Sequence, residues 1–303
     1  LSVVKVNAPW FHVRERGVFG GIFGIMISSG YLLAFSAGGL VLKYLPWYFV
    51  FIVPSIAMLV MFTIVSIAVK STPQEAGFQN FNTGDASSGD EAPVNRAYLV
   101  KKIFTNPIIL TIAVAEFFTG FVRQGLLFYF PRFLENVHKI PPKTTLAVWA
   151  GLGVTIGGIL GGLLCGFLSD RFFQSRRPPV AFIFYMGQIV ALVMLGLAGH
   201  PLLATILIGF SCMWIFGVHG MLSGTASADF GGKKAAATAT GLLDGVQYIA
   251  SGFASLGFGY LIKEFGWSVW IWPLSITLFS VCGGLMMIRV WNAKPQPKGT
   301  GAH

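Results

Sequence analysis

Three charged residues interrupt stretches of the sequence that are otherwise apolar, and their types suit chemistry. Glu116 and Arg123 fall within 107–130, and Asp244 falls within 235–262. A charge at the centre of a membrane helix costs about 2.5–3.5 kcal/mol on insertion scales, so such residues mark functional sites. The sequence therefore predicts a binding or coupling site built on these side chains.

Arg123 is the first candidate for contact with a ligand. Its guanidinium group offers a rigid fork of donors that matches phosphate oxygens in bidentate fashion, and it stays charged at physiological pH. We predict that Arg123 binds a phosphate group. The alternative is a structural ion pair with Glu116 or Asp244.

The two acids have open roles. Glu116 lies seven residues before Arg123, which places both on one helix face, about 10.5 Å apart along the axis. Glu116 is expected to restrain Arg123 without ligand, to carry a proton, or to face a water-filled cavity. Asp244 is expected to pair with Arg123, to take a proton, or to shape its helix together with Gly245.

Histidines give a weaker signal. His219 lies deep in an apolar stretch and is expected either to line a cavity or to pack in the core. No pair of histidines has metal-ligand spacing, so the sequence predicts no metal site. No cofactor is expected either, since substrate gradients can drive a transporter.

The composition indicates the class of protein in which these residues lie. Of 303 residues, 54% are hydrophobic and 11% are charged, whereas soluble domains carry about 25% charged residues. A soluble enzyme and a disordered chain are excluded. The three cysteines lie in apolar runs, which excludes a disulfide scaffold.

Eight stretches are long and apolar enough to cross a bilayer, which takes about 20 residues, and all are predicted to be helices. They are 17–42, 44–69, 107–130, 144–169, 178–199, 201–228, 235–262 and 265–288. Most of the 21 Lys and Arg residues fall on one side of this arrangement, which predicts that both termini are cytoplasmic. The formal charge of +10 is thereby a topology signal, and no clustered basic face predicts nucleic-acid binding.

The predicted organisation has four parts. Residues 1–69 hold two helices, 70–100 form a polar cytoplasmic linker, 101–291 hold six helices, and 292–303 form a cytoplasmic tail. The first two stretches resemble the last two, six helices later, in their basic entries and Pro and Trp positions. A six-helix parallel repeat is the plan of major facilitator transporters, on which this chain supplies helices 5–12 of twelve.

Local motifs carry a resemblance to one family. They are the Gly162–Arg177 loop with Asp170-Arg171 and Arg176-Arg177, the Gly232-Lys-Lys to Gly241 segment leading to Asp244-Gly245, Arg123 followed by Gly125, Tyr129 and Pro131, Glu15-Arg16-Gly17, and Thr72–Gly77. Over nearly the whole chain, these motifs resemble the organophosphate:phosphate antiporters of the major facilitator superfamily.

The resemblance implies a fold and an activity. It implies an all-α polytopic membrane protein, N-terminally truncated, that exchanges an organic phosphate for inorganic phosphate by rocking of two six-helix halves. The organic phosphate would be glycerol-3-phosphate, a sugar phosphate or a phosphoglycerate. The resemblance also implies a bacterial inner-membrane location, and we expect a monomer.

The resemblance also implies roles for particular residues. Arg123 matches one of two phosphate-binding arginines, the other lying on a helix that this sequence lacks. Tyr248 matches a cavity tyrosine, which donates to a phosphate oxygen or packs in the core. Arg171, Arg176 and Arg177 belong to a gating loop or only set topology. Asp170 is expected to bond the start of the first stretch, near Gly17, as a latch.

Two other functions remain open from the sequence. One is a proton-coupled transporter of sugars or drugs, with Glu116 or Asp244 carrying the proton. The other is a transporter-like membrane receptor for a sugar phosphate. No zinc signature or nucleophile elbow is present, so an enzyme is not expected.

Overall fold

The computed structural model describes residues 2–33, 41, 44–79, 82–84, 96–141, 144–268 and 271–294. Helices account for most of these residues. Their bounds are α1 Ser2–Asn7, α2 Arg16–Leu32, α3 Phe49–Ala68, α4 Arg96–Phe104, α5 Pro107–Asn136, α6 Thr145–Arg171, α7 Arg177–Gly196, α8 Pro201–His219, α9 Ser227–Phe265 and α10 Leu274–Arg289. A π-helical segment, Gly220–Ala226, joins α8 to α9.

Each of the eight predicted stretches overlaps one of these helices. By length and composition, five helical segments of the described chain can cross a membrane: Phe49–Ala68, Pro107–Asn136, Thr145–Arg171, Arg177–Gly196 and Pro201–Gly232. Helix α10 is apolar but shorter. The predicted all-α membrane fold is confirmed.

Local sequence explains where helix α5 begins. The side chain of Asn106 accepts hydrogen bonds from the backbone N–H groups of Ile108 and Ile109 at 2.9 and 3.3 Å. Pro107 follows at the first helical position, where its missing N–H costs nothing. The Asn106 cap and Pro107 therefore fix the first residue of helix α5, which carries Glu116 and Arg123.

Glycines bring α6 and α8 into backbone contact. A Cβ atom added at Gly157 or Gly161 would overlap the carbonyl oxygen of Gly209 or Met213, respectively. Small residues at four-residue spacing permit such approach between membrane helices. The glycines of the fourth stretch therefore set the close contact between α6 and α8.

Two helix boundaries differ from prediction. The eighth stretch was predicted as 265–288, but Phe265 ends α9, Gly266 has a φ of 72°, and α10 begins after Pro273. Proline lacks the N–H that a continuing helix needs. The sixth stretch was predicted to end at 228, but its helix continues to Gly232. Gly232 has φ 68° and ψ 166°, and it separates that helix from the helix of the seventh stretch within α9.

Some predicted segments fall outside the described residues. These are much of the linker, residues 34–40 and 42 of the first stretch, and 295–303 of the tail. Helix α3 is described in full and has no buried residue. The other long helices pack together: α5 contacts α9 and α10, α6 contacts α2 and α8, and α7 contacts α8 and α10.

Candidate functional site

Arg123 lies near the middle of α5, with its side chain buried. Its Nε atom has no hydrogen-bond partner, and no carboxylate of the described chain lies within ion-pair distance. Its guanidinium carbon lies 5.4 Å from the ring centre of Tyr248 on α9, a cation–π contact. The described chain thus holds Arg123 by an aromatic face and leaves its charge unpaired.

A group of buried polar side chains lies on the same side of α5. Glu116 is fully buried, and its Oε2 atom lies 3.5 Å from Nδ1 of His219 at the end of α8. His219 Nδ1 lies 2.8 Å from Nε2 of Gln247 on α9. The charge of Arg123 acts on both Glu116 and His219. We call Glu116, Arg123, His219 and Gln247 the central cluster.

Several polar atoms of the central cluster are buried without a hydrogen-bond partner. They are both carboxylate oxygens of Glu116, Nε of Arg123 and Oε1 of Gln247. Buried polar groups in proteins are nearly always hydrogen-bonded, so each exception needs an explanation, of which a functional role is one. Arg123 and Glu116 therefore share a cluster, but neither is neutralised by the other.

Asp244 has a different partner from those expected. Its carboxylate accepts a hydrogen bond from the hydroxyl of Ser223, which lies in the π-helical segment. π-Helical turns inside α-helices are often found at functional sites, because the extra residue turns side chains out of the regular register. The π-helical segment places the Ser223 hydroxyl against Asp244. Asp244 lies about one helical turn before Gln247 on α9.

The crossing of α5 and α9 explains why these side chains meet. At Gly120 an added Cβ would overlap the carbonyl oxygen of Gln247. The hydroxyl of Ser251 donates to the Gly120 carbonyl at 3.3 Å. Glu116 lies one turn before Gly120 and Arg123 nearly one turn after it, so both point to the crossing.

A second group of charges lies near the ends of α6, α7 and α2. Asp229 is fully buried and binds Arg16 at 3.2 Å through Oδ1 and Arg177 at 2.8 Å through Oδ2. Arg177 also binds Asp170 at 2.6 Å and donates to the Val13 carbonyl at 2.7 Å. We call Arg16, Asp170, Arg177 and Asp229 the Asp229 cluster; its two arginines balance two aspartates.

The Asp229 cluster contains part of the predicted gating loop. Asp170 also accepts from the hydroxyl of Ser175 at 3.1 Å, and Arg171 is exposed. Arg176 is half-buried. The start of α2 is held by Asp229 through Arg16, and Arg16 further donates to the Ala8 carbonyl at 2.6 Å.

Asp229, Gln247 and Ser223 are not among the predicted site residues. Asp229 lies directly after the predicted end of the sixth stretch at residue 228, although the helix of that stretch continues to Gly232. An acid inside that helix was the available signal. Gln247 and Ser223 are uncharged, and their meeting depends on the π-helical turn.

No group of three or more His, Cys, Asp or Glu side chains in the described part of the chain could hold a metal ion.

Long apolar helices around a buried, unpaired arginine define the class: an integral membrane protein of the helical-bundle type with an internal cationic site. Residues 2–255 match the Major Facilitator Superfamily. The chain belongs to this superfamily, as its motifs indicated.

Three relatives narrow the resemblance. The chain is 32% identical over 279 residues to the "Glycerol-3-phosphate transporter" of Bacillus subtilis, covering 87% of this chain and 61% of the relative. It is 26% identical to the "Probable hexose phosphate transport protein" of Chlamydia muridarum, covering 99% of this chain and 69% of the relative. It is 25% identical to "Sugar phosphate exchanger 3" of Bos taurus, covering 92% and 62%.

These relatives are consistent with the organophosphate:phosphate antiporter family that the motifs resemble. The chain spans 61% of the length of the Bacillus relative.

Proposed function

We propose that this chain is part of a secondary transporter that exchanges an organic phosphate for inorganic phosphate by alternating access. The observation that carries the proposal is Arg123, a buried arginine whose Nε atom and charge have no partner in the described chain. A dianionic phosphate would supply both the charge and the acceptor oxygens that this guanidinium lacks. The relatives' names, all of phosphate-compound transporters, support the same ligand class.

The proposal includes an arrangement in the membrane. The two helices before residue 70 would belong to one six-helix half, and the six helices between 101 and 291 would form the other. The protein would be a monomer in a bacterial inner membrane, with both ends of this chain cytoplasmic. Its role would be that of a carrier and not of an enzyme.

Counterflow in liposomes tests the exchange. The full gene product is reconstituted with internal phosphate, and uptake of labelled glycerol-3-phosphate and glucose-6-phosphate is measured with and without that phosphate. Arg123→Lys should lower uptake by about tenfold or more, equivalent to about 1.4 kcal/mol, because an ammonium group cannot replace the bidentate fork. Arg132→Lys, at an exposed site on the same helix, should stay within about twofold of wild type, since surface substitutions have small effects.

Uptake that needs no internal phosphate, or that survives Arg123→Lys at wild-type rate, would overturn the exchange proposal. The second candidate is proton-coupled transport, which the buried Glu116–His219 contact favours. In that case an imposed pH gradient would drive uptake into vesicles without phosphate, and Glu116→Gln would abolish that drive.

A further inference from the structure

We propose that the cavity between α2, α5 and α6 is a subsite for the apolar group of a phosphate monoester whose phosphate is held by Arg123. The inference rests on the phosphate binding that the proposed function contains. It extends the ligands of this protein to alkyl and aryl phosphates, which would bind more tightly than esters of equal charge with a short or hydroxylated chain.

The first argument is the lining of the cavity. Its volume is about 370 Å³, and the described residues that line it belong to the ends of α2 and α5, the loop after α5 and the start of α6. Tyr31 is the only one of them with a polar side-chain atom. Apolar cavities stay dry and bind apolar molecules. This cavity therefore suits a hydrocarbon chain or ring better than a hydroxylated chain.

The second argument is the position of the cavity relative to Arg123. Phe130 and Leu134 line the cavity and are largely buried. They follow Arg123 by seven and eleven residues, which places all three side chains on one face of α5, with Phe130 about 10.5 Å from Arg123 along the axis. An ester whose phosphate binds Arg123 can therefore extend its alkyl chain along α5 into the cavity.

The third argument is the place of Tyr31 between the cavity and the arginine. Tyr31 lines the cavity from α2, and the charge of Arg123 acts on its hydroxyl group. Its ring packs edge-to-face against Phe216 of α8, with the ring centres 5.7 Å apart. A phenol can donate a hydrogen bond to a phosphate or ester oxygen. Tyr31 thus lies where the polar head of such a ligand would end and its apolar group begin.

The start of α6 leaves the space open and offers a way to fill it. Gly151 lines the cavity, and a Cβ atom added there would have no neighbouring atom within 4 Å. Ala147, about one turn earlier, is half-buried and lines the same cavity. A larger side chain at Gly151 would occupy the cavity and leave Arg123 unchanged.

Ethyl phosphate and hexyl phosphate test the subsite, because they share a charged head and differ only in the length of the alkyl chain. Each is used to inhibit the exchange of labelled phosphate for internal phosphate by the full gene product in liposomes. Hexyl phosphate should half-inhibit at a concentration at least about tenfold lower, since each buried methylene group contributes about a three- to fourfold gain.

Gly151→Leu should reduce this ratio by about fivefold or more, because the new side chain takes the place of the alkyl chain. Gly257→Leu is the matched control and should keep the wild-type ratio. Gly257 is exposed on α9, has open space around an added Cβ and is not among the residues that line the cavity. Both esters partition into the same bilayer in every variant, so that partition cancels from the comparison.

A second variant covers a loss of exchange in Gly151→Leu. Ala147→Leu fills the same cavity and should reduce the ratio in the same direction. Displacement of labelled phosphate bound to the purified protein gives the ratio for any variant that binds phosphate without exchanging it.

A lipid with a phosphate monoester head, such as phosphatidic acid, has the same chemistry as an alkyl phosphate. The cavity is assigned here to a soluble ester, so the ratio should not change when phosphatidic acid is added to the vesicles. A ratio that falls towards one on this addition would assign the cavity to the lipid and overturn the soluble ligand.

Two results would overturn the subsite while leaving phosphate exchange intact. One is equal inhibition by ethyl and hexyl phosphate in the wild type, and the other is a wild-type ratio in both Gly151→Leu and Ala147→Leu. Absence of phosphate exchange in the wild type would instead refute the proposed function, and the subsite with it.

Discussion

The ring of Tyr248 lies 5.4 Å from the guanidinium carbon of Arg123, and this contact can be separated from a hydrogen bond by its hydroxyl group. A ring face attracts a cation through its quadrupole and needs no hydroxyl. A phosphate-binding phenol, as the resemblance implies, would depend on the hydroxyl. The two roles therefore predict opposite results for phenylalanine at this position.

We expect the ring face to dominate. Tyr248→Leu should raise the KM for phosphate about two- to fivefold, which corresponds to the roughly 0.5–1 kcal/mol of an exposed cation–π contact. Tyr248→Phe should leave KM near the wild-type value. A raised KM in both variants would instead assign the hydroxyl to the phosphate, and labelled-phosphate exchange over a range of concentrations measures either outcome.

At the scale of elements, the contact between α6 and α8 has almost no tolerance for added volume. Gly161 meets the backbone of Met213 and not a flexible side chain, so a methyl group there forces the two helices apart. Gly151, on the same helix, has open space where its Cβ would lie. The two positions offer the same substitution in opposite environments.

Gly161→Ala should destabilise the protein by about 1–3 kcal/mol through overpacking. Gly151→Ala should be neutral or stabilising by up to about 1 kcal/mol, because alanine favours the helix. Thermal unfolding of both variants in detergent checks the difference. Equal Tm values would show that α6 and α8 separate without cost and that the glycines do not set the packing.

The same elements show what the sequence could predict. Helices follow from apolar length, and Arg123 and Glu116 are visible because a charge inside an apolar run is rare. Gln247 is not visible, because its place beside His219 depends on where α5 crosses α9 at Gly120 and on the π-helical turn before α9. Asp229 was missed because apolar length alone ended its helix at residue 228, directly before it, although the helix continues to Gly232.

At the scale of the whole molecule, Arg16 connects the N-terminal residues to the helices after residue 100. It reaches Asp229 on α9 and the Ala8 carbonyl, while Arg177 reaches the Val13 carbonyl. Removing one partner of a buried ion pair is costly, but Asp229 would keep Arg177. Loss of Arg16 should therefore loosen this end of the bundle without unfolding it.

Arg16→Gln should expose Cys165, which is buried on α6 five residues before Asp170. Its alkylation by N-ethylmaleimide should become about tenfold faster or more, as expected when charged hydrogen bonds worth about 1.5–3 kcal/mol are lost. Arg14→Gln, at an exposed neighbour, is the control, and Cys282 on α10 is the internal reference. Equal Cys165 labelling in both variants would contradict a closing role for the Asp229 cluster.

The burial of Arg16 beside an exposed Arg14 also gives this end of the protein a proteolytic signature. Trypsin must draw an arginine side chain into its own acidic pocket, and Arg16 cannot enter that pocket while Asp229 holds it. Cleavage after Arg14 should therefore occur in every conformation, and cleavage after Arg16 only when the Asp229 cluster has opened. The ratio of the two fragments would measure the fraction of molecules in which the Asp229 cluster is open, without any label. A transported ligand that changes the balance of conformations would change that ratio.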